Sequence, residues 1–137
     1  MAKHRKLIMI VAIALVALVG GVGGYLMFAP KQASAEPAPK PGVVAPLDAI
    51  AINLADGHYL KLKMTLQATA EVAEAPDGSK ALDIAITQFS NRDRAGLLTA
   101  EGRDQAKQEL VADVVKAYTV DKKKEVMDVY FTTFVIQ

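Results

Sequence analysis

Residues 7–28, LIMIVAIALVALVGGVGGYLMF, carry no charged side chain. At ~1.5 Å per residue, a helix over this run covers a hydrocarbon core ~30 Å thick. The run therefore predicts one membrane-spanning helix from Leu7 to Phe28, with Val16 in its interior. Lys3, Arg5 and Lys6 make residues 1–6 a basic tail, which the positive-inside tendency keeps in the cytoplasm. Tyr25 and Phe28 fall near the far end, where aromatic rings suit the interface. The expected topology is a single pass through the cytoplasmic membrane, N-terminus in, with the remaining chain extracytoplasmic or periplasmic. Gly20 to Gly24 form a G-x-x-x-G. That spacing permits close helix packing in the membrane, or is only a tolerant Gly-rich stretch. Ala33-Ser34-Ala35 is an A-x-A-like cleavage pattern, so a secretory signal is the alternative. A signal's apolar region is typically ~7–15 residues, and this run is much longer, which favours a retained anchor.

Five of the six prolines fall within residues 29–46, at Pro30, Pro37, Pro39, Pro41 and Pro46. This predicts a semi-extended spacer with polyproline II character. The globular part is expected over residues 47–137, a length that supports one modest core. There, 14 acidic residues face 11 basic ones, and the whole chain carries a net charge of +1. A general nucleic-acid binder needs a basic field, so no nucleic-acid partner is expected. The absence of Cys excludes disulfides, thiolate metal sites and thiol nucleophiles. His4 and His58 are the only histidines, too few for a multi-His metal centre.

The stretch LDAIAINLADGHYL predicts a strand near 47–54, then a turn at Asp56-Gly57. The next stretch alternates. Leu60, Leu62, Met64, Leu66 and Ala68 are expected to face a core, with Lys61, Lys63, Thr65, Gln67 and Thr69 in water. Residues 74–79, EAPDGS, read as a loop. From Lys80 the period becomes helical, with Leu82, Ala85, Ile86 and Phe89 on one stripe. Arg92-Asp93-Arg94 is then a short polar break. A second helix is predicted after Thr99, whose hydroxyl can cap it, with Glu101 favourable to its dipole and Gly102 loosening its start. Ala106, Leu110, Val114 and Tyr118 form its buried stripe, widened by Val111 and Val115. Asp121–Lys124 is a polar connection to a last strand, VMDVYFTTFVI, over residues 126–136. Simple alternation puts Phe131 and Phe134 on opposite faces, both largely apolar. The expected class is α+β, in the order ββααβ. One face of the last strand packs on helices, and the other is open to a neighbouring subunit.

Several segments together resemble the FliL family of flagellar basal-body-associated membrane proteins. They are the basic start, the single span, the Pro-rich spacer, INLADGHYLKLKMTL, LLTAEGRDQAKQEL and the closing VMDVYFTTFVIQ. The strongest parts are Asn53-Leu54 before Tyr59-Leu60, the turn Thr99-Ala100-Glu101-Gly102, and Val129-Tyr130-Phe131 through Phe134-Val135-Ile136-Gln137. The resemblance implies a stomatin-like (SPFH-like) domain outside the cytoplasmic membrane. It also implies assembly into a ring-like homo-oligomer, and association with flagellar stator proteins in support of torque and swarming.

Tyr130, Phe131, Phe134, Arg92 and Arg94 are the candidate self-association residues, each with a plainer reading as core or solvated turn. Lys122-Lys123-Lys124 reads as a solvated connection or a contact for an acidic partner. No G-x-S-x-G elbow, P-loop or H-E-x-x-H occurs. No acidic pair stands in an apolar stretch that would raise its pKa. An enzyme is therefore not expected, nor any cofactor. The competing class is an envelope-anchored ligand-binding or enzymatic domain, marked by an apolar pocket with convergent polar groups.

Overall fold

The alternating stretch around Leu60–Ala68 is the central strand of the fold. The computed structural model describes residues 37–137. Their elements run β1 (Pro41–Pro46), β2 (Ile50–Asn53), a 3-10 turn (Ala55–Gly57), β3 (Tyr59–Thr69), α1 (Ser79–Phe89), α2 (Arg94–Leu98), α3 (Ala100–Ala117), β4 (Thr119–Val120), β5 (Lys123–Lys124) and β6 (Val126–Ile136). The class is α+β as expected, with more elements than ββααβ. Among the described residues no helix is long and apolar enough to cross a membrane. The run 7–28, with the anchor positions Leu7, Val16, Gly20, Gly24 and Phe28, lies outside them.

All pairings in the main sheet are antiparallel and centre on β3. β6 lies along one side of it, from Leu60↔Ile136 to Ala68↔Val126. The other side is shared in succession by β2, at Ile50–Asn53, and by β1, from Pro46↔Thr65 to Pro41↔Thr69. The β2–β3 turn answers to Asp56-Gly57. Both residues sit at positive φ, 63° and 76°, where Gly is unstrained and Asp is tolerated. Leu60, Leu62, Met64, Leu66 and Ala68 are all buried. Lys61 and Lys63 are exposed as expected, but Gln67 and Thr69 are buried. Gln67 donates to the Gly42 carbonyl at 2.9 Å, and the Thr69 hydroxyl donates to the Lys124 carbonyl at 2.8 Å. Both polar groups are thus satisfied by backbone of flanking segments, which lets them be covered.

The structure also corrects the readings of β1, the α1 stripe and the 121–124 connection. Pro41–Pro46 is a strand of the sheet, so the folded unit takes in part of the Pro-rich spacer. β1 is an edge strand, paired only with β3, and Pro is tolerated on an edge or at a strand's first residue. The stripe of α1 is Ala81, Ala85 and Phe89, while Ile86 is 45% exposed and Leu82 only half-buried. The small residues face inward because the helix packs closely on α3, where the Gln88 amide donates to the Ala106 carbonyl at 2.7 Å. The connection at 121–124 is a hairpin, β4 paired with β5.

The second long helix forms as its caps direct. The Thr99 hydroxyl accepts from the Gly102 N–H at 3.0 Å. Asp93 likewise caps the short α2, accepting from the Ala95 N–H at 3.1 Å. Gly102 does not loosen this start. A Cβ there would run into the Gly96 carbonyl, so Gly lets the α2 backbone cross close to α3. Ala106, Leu110, Val114 and Tyr118 are buried, as the helical period predicts. The Tyr118 hydroxyl donates to the Asp77 carbonyl and accepts from the Ala81 N–H, joining the end of α3 to the start of α1.

Candidate self-association surface

The last strand carries two irregularities against β3, and one decides where its aromatic rings go. Lys63 pairs with Thr133, but Met64 pairs with Phe131. Thr132 is therefore an extra residue, a β-bulge, with its hydroxyl donating to the Lys63 carbonyl at 3.2 Å. A bulge shifts the side-chain alternation by one. Phe131 lies opposite Met64 and Phe134 opposite Leu62, so both take the core face. The expectation of opposite faces is corrected, because it assumed an unbroken period of two. Val126, Val129, Phe131, Phe134 and Ile136 now form one apolar row toward the helices.

Phe89 of α1 completes an aromatic cluster. Its ring lies edge-on to Phe131 and Phe134, with centroids 6.4 and 6.2 Å away. Phe131 and Phe134 stack on each other at 5.6 Å. The Arg92 guanidinium stands 5.9 Å from the Phe89 centroid and pairs with Glu109 at 3.0 Å. That hydrogen-bonded guanidinium holds the Glu109 carboxyl below the usual carboxylate range. Arg92 is thus engaged within its own domain. Arg94, at the first position of α2, is exposed.

The face of β6 opposite the aromatic row is mixed in character. It presents Tyr130, Thr133 and Val135 of β6 beside Lys61 and Lys63 of β3. Tyr130 and Val135 are 40% and 43% exposed. The Lys107 ammonium lies 5.8 Å from the Tyr130 ring centroid. The outer edge of β6 pairs with no strand among the described residues. An 11-residue strand with a free edge is a ready template for another chain. The tail itself is fixed. Tyr59 and Gln137 exchange both backbone hydrogen bonds at 2.9 Å, and the Tyr59 hydroxyl donates to Gln137 Oε1 at 2.7 Å. The structure thus separates the five candidates. Tyr130 and Arg94 are at the surface, Phe131 and Phe134 pack on the core, and Arg92 braces Phe89.

The sequence held a signal for the bulge. Phe131-Thr132-Thr133-Phe134 places two polar residues between aromatic rings, where strict alternation allows one. Lys107 and Glu109 take part in this region without a signal of their own. No group of three or more His, Asp or Glu that could hold a metal ion occurs among the described residues. A half-open groove of about 380 Å³ lies against the β4–β5 hairpin, lined by Val72, Val120 and charged residues of both signs. Val72 and Val120 are its apolar side chains, beside Glu71, Asp121, Lys123, Lys124 and Glu125.

A four-stranded antiparallel sheet packed with helices defines a small α+β domain, with its last strand at a sheet edge. The family model described as Flagellar basal body-associated protein FliL matches residues 44–137. The chain belongs to that family, and so is a flagellar basal-body-associated protein. No curated protein matches it.

Proposed function

We propose that this protein is an accessory of the flagellar motor. The run 7–28 anchors it in the cytoplasmic membrane with its N-terminus inside. Its extracytoplasmic, SPFH-like domain assembles into a ring beside the stator units and supports torque for swimming and swarming. The observation that carries this reading is the family match across 44–137. The free edge and open face of β6 support the assembly step. A ring requires a heterologous contact, in which one surface meets a different one on the next subunit. The β6 side supplies one half of such a joint. On the other side of the sheet, Pro41 and Pro46 of β1 lack N–H groups and β2 is only four residues long, so that edge is blunted for strand pairing. The second half of the joint is therefore a surface other than that edge.

The test is a gene deletion, complemented by wild type or by Val135→Asp. Motors without the protein are expected to build filaments but to turn a loaded bead with reduced torque. Wild type restores the torque, and Val135→Asp does not. Full torque in the deletion strain contradicts the reading.

A further inference from the structure

At one end of the domain, three segments meet around Thr69. The Lys40 carbonyl accepts from the Ala70 N–H at 2.8 Å, and Pro41 pairs with Thr69. From its other side, the Thr69 N–H donates to the Glu125 carbonyl at 2.9 Å, and its hydroxyl to the Lys124 carbonyl at 2.8 Å. The point where the chain enters the domain and the β4–β5 hairpin are thus neighbours across one residue. The Asp56-Gly57 turn marks the opposite end of β3, ~35 Å away at ~3.3 Å per residue.

The hairpin is basic and partly apolar. Lys122, Lys123 and Lys124 are exposed, and Val120 is 51% exposed. Its two turn residues, Asp121 and Lys122, both have positive φ, 47° and 67°. Such turns favour Asn-Gly, so a lysine is kept at the tip against its backbone preference.

We propose that this end of the domain docks on an anionic lipid surface, that of the membrane to which the chain is tethered. The proposal rests on the reading of 7–28 as a retained span. Only residues 29–40 separate that run from β1, at most ~40 Å of extended chain at ~3.1 Å per residue. A tether this short holds the domain at high effective concentration beside the bilayer. Its attachment at Lys40 lies at the hairpin end of the domain. Lysines are drawn to anionic headgroups within a Debye length, and Val120 suits the interface. Glu71, Asp121 and Glu125 line the groove beside Lys123 and Lys124 and equal the three hairpin lysines in number, so the attraction comes from charge separation and not from net charge. The groove is therefore no pocket for a single anion. Long lysine stems extend the charge outward, and the contact orients a tethered domain without having to capture a free one.

The chain has no Cys, so single labels are clean. Full-length protein with a fluorophore at Val120→Cys or Asp56→Cys is reconstituted into vesicles bearing a headgroup nitroxide quencher. The vesicles are phosphatidylcholine alone or mixed with phosphatidylglycerol. The Val120 label is expected to be quenched about twofold more in the anionic vesicles, and high salt removes the difference. The combined change Lys122→Gln, Lys123→Gln and Lys124→Gln also removes it, with an unchanged melting curve. The Asp56 label shows no such difference. Co-flotation of the protein with both vesicle types reports the anchor separately. A protein that floats with both, yet whose Val120 label ignores lipid composition, assigns the lysines to an acidic protein surface or to solvent and overturns the docking. One that floats with neither overturns the anchor, and the docking with it.

Discussion

Phe89, Phe131 and Phe134 bear most directly on the stability of this small domain. Phe89 is fully buried, while the two strand rings are half-buried and stacked on each other. Truncating a buried Phe costs ~3–5 kcal/mol, against a total of ~5–15 for a typical domain. Phe89→Ala is expected to leave the domain unfolded or nearly so. Phe131→Ala and Phe134→Ala should each lower Tm, and the double variant should lose less than the sum, because the rings are in contact. Strict additivity in melting experiments contradicts the shared cluster. Tyr118→Phe removes one hydroxyl and strands two partners, the Asp77 carbonyl and the Ala81 N–H. Denaturant titration is expected to show a loss of ~1–3 kcal/mol. Glu109 gives a pH signature. Its carboxyl, ordinarily near 4.5, is lowered by Arg92 in the folded protein. A depressed folded pKa stabilises above the unfolded value, and that stability is lost as pH falls through the folded value. The Tm gap between wild type and Glu109→Gln should therefore be full above pH 4.5 and close below it. The gap should be small, because the pair is exposed.

At the level of elements, Gly102 sets two effects against each other. Ala is the better helix former by ~1 kcal/mol. A Cβ at this position, however, meets the backbone carbonyl of Gly96, and overpacking costs ~1–3 kcal/mol. Backbone cannot swing aside as a side chain can, so packing wins. Gly102→Ala is expected to lower Tm, and a raised Tm contradicts the close crossing of α2 and α3. The same balance of local and tertiary effects decided what was legible from residues alone. β3 was legible because its alternation is unbroken and one face is wholly buried. The cap at Thr99 and the stripe on α3 were legible because both are local. The aromatic face of β6 was not, since one inserted residue, Thr132, reverses the pattern beyond it. The stripe of α1 was misplaced because hydrophobic size pointed to Leu82 and Ile86, whereas close helix contact selected Ala81 and Ala85. β1 was hidden by its prolines, which mark a spacer unless a neighbouring strand takes them up. Among the candidate site residues, exposure depended on contacts made across the fold. Arg92 and Arg94, two positions apart, therefore have different surroundings.

At the scale of the whole molecule, the proposed anchor and tether would hold a domain with an unpaired β6 edge at the flagellar basal body. Anchor retention has its own check. Mass spectrometry of the membrane-purified protein should find residues before Ala35, and a mature chain beginning at Glu36 contradicts the anchor. On the proposed reading, the full-length protein assembles through the β6 side while the domain stays folded. Native mass spectrometry of protein extracted with its surrounding lipid measures this directly. Wild type is expected to give a discrete assembly of more than two copies, and Val135→Asp a shift to monomer with its Tm unchanged. A wild-type protein that is only monomeric, even when extracted together with stator units, contradicts it.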